Sequence, residues 1–98
     1  MRTMLKITVP VGAGNDAIQS GRLPQALKQT IDRLKPEAAY FFPDDGLRSA
    51  MFIFDLKDPS EIPEIAEPLF SAFHATVDFK PVMNLDDLQK GLAKIGQK

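Results

Sequence analysis

The chain has 98 residues, and its 12 Lys and Arg against 13 Asp and Glu leave a net charge of −1. That length suits one compact core and no second domain, and 44% hydrophobic with 26% charged residues describes a globular chain rather than a disordered one. The absence of Cys excludes a disulfide framework, thiol catalysis, an iron–sulfur cluster and the usual structural zinc site. The balanced charge lacks the basic footprint of a dedicated nucleic-acid binder.

The N-terminal segment alternates, with Leu5, Ile7 and Val9 on one face and Met4, Lys6 and Thr8 on the other, a period that predicts a half-buried strand. Lys6 interrupts it before the apolar run of a signal peptide can form. No window approaches the ~20 apolar residues of a membrane span. A cytoplasmic protein without membrane association is therefore expected.

Glycines at 12 and 14 are expected to end the strand, with Asn15 capping a helix beyond them. Leu23, Leu27, Ile31 and Leu34 recur at helical spacing. Gly21 and Pro24 are expected to split off a short turn over 16–20, and Pro36 to stop the main helix near Lys35. Two runs, Ala38 to Phe42 and Arg48 to Phe54, flank Asp45-Gly46 and predict a β-hairpin. The second run is apolar on both faces, which predicts a central strand.

Asp58-Pro59-Ser60-Glu61 is helix-start chemistry, with either Asp58 or Ser60 as cap. Ile62, Ile65, Ala66, Leu69, Phe70 and Phe73 form the stripe of the helix it opens, and Pro68 is expected to kink it. Val77 and Phe79 alternate with Thr76, Asp78 and Lys80 in a last strand. Asn84 then caps a helix whose Leu85, Leu88, Leu92 and Ile95 share one side.

The order β-α-β-β-α-β plus a C-terminal helix predicts an α+β, ferredoxin-like sandwich, a single domain over 1–98 with the first and third strands central. Helices then cover one sheet face only. Leu5, Ile7, Val9, Val77 and Phe79 are expected beneath them. The other face holds Met4, Lys6, Thr8, Thr76, Asp78 and Lys80 plus one apolar set from the hairpin, and register decides which. Leaving that set wet forfeits ~1.5–3 kcal/mol per large side chain, so the reading expects a homodimer closed across the helix-free sheet face.

Four segments carry a resemblance over most of residues 1–90: Lys35-Pro36-Glu37-Ala38-Ala39-Tyr40-Phe41, Asp45-Gly46, the run from Ile62 to Phe70, and Val77-Asp78-Phe79-Lys80-Pro81-Val82-Met83. On them the chain resembles a small bacterial family of the dimeric α+β barrel superfamily. The family has no established activity. Related barrels include cofactor-free monooxygenases and lactone isomerases. The resemblance implies a dimer with room for an interior cavity.

Gly12-x-Gly14-x-x-Ala17 imitates a dinucleotide fingerprint. A hairpin stands where that fold needs a parallel strand, and Asp16 sets negative charge at the phosphate seat, so the glycines read as a strand-to-helix turn. His74 is the single histidine, the residue type most given to proton exchange near neutrality. It is expected partly buried and hydrogen-bonded, and is a candidate ligand contact. With no second His or Cys, no metal is expected.

Lys6, Thr8, Tyr40, Arg48, Asp78 and Lys80 are more informative. A mid-strand ammonium in the sheet centre calls for a partner, and Asp78 on the neighbouring strand is the natural one. One reading makes this an interfacial ion pair that sets dimer register. The other has Lys6, Thr8, Tyr40, His74 and Asp78 line a cavity for a small, partly apolar anion. RNA binding is disfavoured, because Lys6 stands where RNA-recognition sheets carry a stacking aromatic.

No Ser-His-Asp or Cys-His constellation is present, and no cofactor is expected. Two functions remain. The favoured one is a homodimeric binding or interaction module. The alternative is a cofactor-independent, monooxygenase- or isomerase-like enzyme acting on a small aromatic or lactone-like ligand within the barrel.

Overall fold

A computed structural model describes residues 1–96, so the last two residues of the domain expected over 1–98 lie outside the described residues. The elements run β1 (Arg2–Val9), α1 (Val11–Gln19), α2 (Arg22–Leu34), β2 (Ala38–Asp44), β3 (Leu47–Asp55), α3 (Glu61–Phe73), β4 (Thr76–Pro81) and α4 (Leu85–Gly96). The strands form one antiparallel sheet in the order β2-β3-β1-β4, with β1 and β3 central as expected. The chain is α+β. Among the described residues no helix is long and apolar enough to cross a membrane.

The hairpin turns on Asp45 and Gly46, both at positive φ (51° and 78°), which sets a two-residue turn whose twist matches its strands. Its register pairs Tyr40 with Met51, Phe41 with Ala50 and Phe42 with Ser49. On β1, Leu5 faces Phe52 and Ile7 faces Ala50. These pairings settle which hairpin set lies inside: Ala50, Phe52 and Phe54 are buried with Leu5, Ile7 and Val9, and Val77 and Phe79 pack against that cluster. Met51 and Ile53 are left on the opposite face, half-buried.

Two local expectations are corrected. Residues 11–15 are the first turns of a helix rather than a loop, and Pro10, not Asn15, stands at its N-cap. The Gly14 amide donates to the Pro10 carbonyl at 2.8 Å. Gly14 lies close under Arg48: a Cβ there would sit 2.6 Å from Nη1 of that side chain, which crosses from β3 over the start of α1 and would have to shift. The short turn expected over 16–20 is instead the second half of α1, and Gly21, at φ 79°, separates that helix from α2. Pro24 then falls in the first turn of α2, where an amide has no intrahelical partner anyway. Lys35 closes α2 in a left-handed conformation, with Pro36 beyond it.

α3 continues through Pro68 to Phe73 although that proline cannot bond to the Glu64 carbonyl. Its buried residues are Ile65, Ala66, Leu69 and Phe73. Arg33 of α2 reaches Glu64 of α3 at 2.7 Å, joining the two roofing helices at the surface. At its start Ser60, one of the two expected candidates, holds the N-cap position, but its hydroxyl makes no capping bond; Asp58 Oδ1 accepts from the Ser60 amide at 2.9 Å just ahead of the helix. That hydrogen bond holds the Asp58 carboxyl below the usual carboxylate range.

α4 is different. Asn84 caps it as expected, its Oδ1 accepting from the Asp87 amide at 2.8 Å while Asp87 accepts from the Asn84 amide. Yet none of its residues is buried, and Leu85, Leu88, Leu92 and Ile95 stand 41–70% exposed. The result is an elongated molecule of 58 × 28 × 18 Å.

Candidate functional site

The helix-free face of the sheet carries the residues the sequence singles out. β1 alternation places Lys6 and Thr8 there, and register puts Lys6 opposite Asp78 on β4 and Met51 on β3. The ammonium does not bond to Asp78. It donates instead to Oδ2 of Asp44, reaching diagonally across β3 to the end of β2. The hydrogen bond to Asp44 is the main reason the Lys6 pKa stands above its ordinary value, with desolvation acting against it and Asp78 adding a smaller favourable field.

The expected Lys6–Asp78 pair is thus corrected to Lys6–Asp44. The reason lies in the turn: Asp44 is not a loop residue but the last position of β2, on the same side of the sheet as Lys6. The sequence pattern assigns Asp44 to the turn and so misses it. Thr8 is half-buried and its Oγ1 accepts from the Ser49 hydroxyl at 3.4 Å. Tyr40 is 61% exposed and shares the face with Phe42, Met51 and Ile53.

His74 is brought to none of this. It caps α3 in a left-handed conformation (φ 52°), is exposed, and its amide donates to the Phe70 carbonyl at 3.0 Å. The expectation of a partly buried, hydrogen-bonded imidazole is corrected: helix termination, through the backbone, accounts for its position. Among the described residues no group of three or more His, Asp or Glu could together hold a metal ion.

The largest described cavity lies on the other side of the sheet. It measures about 480 Å³ and opens between α2, the end of α3 and the β2–β3 hairpin. Leu23, Ala26 and Leu27 form one wall, and Phe41, Leu47 and Ala50 the other. Phe41 packs edge-on against Phe52 with ring centroids 5.9 Å apart and is still 55% exposed. Arg48 borders this cleft, and its Nη2 donates to Oδ1 of Asn15 at 2.9 Å.

Lys6, Thr8, Tyr40, His74 and Asp78 line none of the three cavities described. The sequence singles out Arg48 but gives no sign of the cleft it borders. The wall residues look like ordinary core positions, and only the placement of α2 relative to the hairpin separates them. No protein-family model matches the chain, and no curated protein matches it closely enough to count as a relative.

Proposed function

We propose that the chain is a ferredoxin-like, homodimeric binding or interaction module of the dimeric α+β barrel kind, in which two copies meet through their helix-free sheet faces. One observation carries the reading. Among the described residues Met4, Phe42, Met51 and Ile53 lie half-buried on a face that no helix covers, while α4 leaves its own apolar stripe in solvent. Contiguous apolar surface of this kind marks a site of association. A two-fold pairing also makes the face its own complement.

The Lys6–Asp44 bridge fits the same reading. It leaves the sheet centre without a lone buried charge when a second sheet covers it, and it restricts the registers in which two faces can meet. Light scattering at micromolar concentration is expected to return twice the chain mass. Ile53→Lys, which sets a charge in the middle of the face, is expected to return a folded monomer. A wild-type monomer under those conditions overturns the reading.

A further inference from the structure

We propose that the cleft between α2 and the hairpin is a binding site for a small apolar carboxylate, with its hydrocarbon part between Leu27 and Phe41 and its head group held by Arg48. The cleft is on the helix side of the sheet, so the inference stands whether or not two copies pair through the opposite face. Its volume, about 480 Å³, falls within the range of about 300–1,000 Å³ of small-molecule sites. Its walls are almost wholly apolar, with Thr30, Arg48 and Ser49 as the only side chains among the lining residues that carry a polar group.

α2 leaves room for the opening along most of its length: Leu34 is its one buried residue, and Leu23, Ala26, Leu27, Thr30 and Ile31 are only half-buried. Gly21 (φ 79°) joins it to α1, whose Ala17 is buried.

Charge supplies the ligand class. Among the described residues Arg48 makes no ion pair, and its guanidinium uses two of its donors, to the Val11 carbonyl at 3.4 Å and to Asn15 Oδ1 at 2.9 Å. Those two bonds orient it at the cleft's edge and leave the remaining N–H groups of its fork for an anion, the geometry that a carboxylate matches. Gly14 keeps the place clear, since any side chain there would displace the guanidinium.

Amide NMR titration of the full chain with 4-phenylbutyrate, and with 4-phenylbutanol as its uncharged counterpart, tests this. The acid is expected to shift the amides of Leu27, Leu47 and Ala50 and to bind at least ~10-fold more tightly than the alcohol, as a charge-assisted hydrogen bond implies. Arg48→Gln is expected to erase that preference while leaving alcohol binding in place. Ala26→Trp, at a half-buried helix position, is expected to fill the cleft and remove binding of both.

Three results overturn the proposal: equal binding of acid and alcohol to the wild type, shifts confined to the helix-free face around Tyr40 and Met51, or unchanged binding in Ala26→Trp. Cleft amides that shift on dilution without any ligand also overturn it, because the occupant is then a second copy. Should Arg48→Gln fail to fold, Ala26→Trp and the acid-to-alcohol ratio of the wild type still decide.

Discussion

Among the described residues three sit at positive φ without being glycine: Lys35, Asp45 and His74. Each ends an element, and each carries a backbone conformation that a side chain resists. For His74 this yields a direct test, because its imidazole is exposed and its visible work is done by the backbone. His74→Gly is expected to leave unfolding free energy unchanged or raised by up to about 1 kcal/mol in urea denaturation. Gly46→Ala is its opposite: at φ 78° the added methyl is expected to cost roughly 1–2 kcal/mol.

Asp58 gives a pH dependence of definite sign. Its folded pKa lies below the ordinary value because the Ser60 amide bonds to the ionised form. Its stabilisation is therefore complete above the ordinary carboxylate pKa of about 4 and is lost as pH falls through the lowered folded value. Asp58→Asn is expected to flatten the acid side of a stability-against-pH profile, with the two proteins converging at the lowest pH.

At the level of elements, α3 and α4 contrast. Both have an apolar stripe at helical spacing and both are preceded by helix-start chemistry, Asp58 to Ser60 for α3 and Asn84 for α4, so a sequence pattern ranks them alike. α3 buries four residues against the sheet, and α4 buries none. Leu69→Ala is expected to cost about 2–5 kcal/mol, the transfer of the lost atoms plus the cavity left behind. Leu92→Glu is expected to change the stability of the monomer by less than ~0.5 kcal/mol, as exposed substitutions do. Urea unfolding of both variants, repeated across protein concentration, measures the contrast. A loss in Leu92→Glu that grows with concentration would locate α4 against a partner.

For the molecule as a whole, the radius of gyration is 15.9 Å, against about 13 Å for a compact chain of this length. The excess comes from α4, which leaves the sheet after Val82 and touches the body through Arg2, whose Nη1 lies 3.6 Å from Asp87. A single chain thus presents an uncovered sheet face and an uncovered helix stripe together. Small-angle scattering from Ile53→Lys, expected to be monomeric, should return a radius near the value of the single chain. The wild type should return a larger one.

The strands, the hairpin and its turn, the α3 helix and the Asn84 cap were legible residue by residue, because alternation, glycine at positive φ and capping chemistry act over a few positions. Gly14 shows where that legibility stops. It lies in a helix against the guanidinium of Arg48, 34 residues away in sequence (48 − 14), a neighbour that local pattern does not show, and the glycines at 12 and 14 by themselves read as a loop. Lys6 fails to meet Asp78 for the same kind of reason: the shared side of β1 and β2 is created by the register of β3 between them.

By itself, then, the sequence determined the α+β class, the central strands and which residues of β1 and β4 alternate toward the helices, since these rest on periodicity; the hairpin's inward set waited on register. Only the tertiary structure decided that α4 stands free, that a cleft opens between α2 and the hairpin, and that Arg48 borders it. Those features depend on how far one element leans from another, a quantity set by the sum of many weak packing contacts and written in no single stretch of chain.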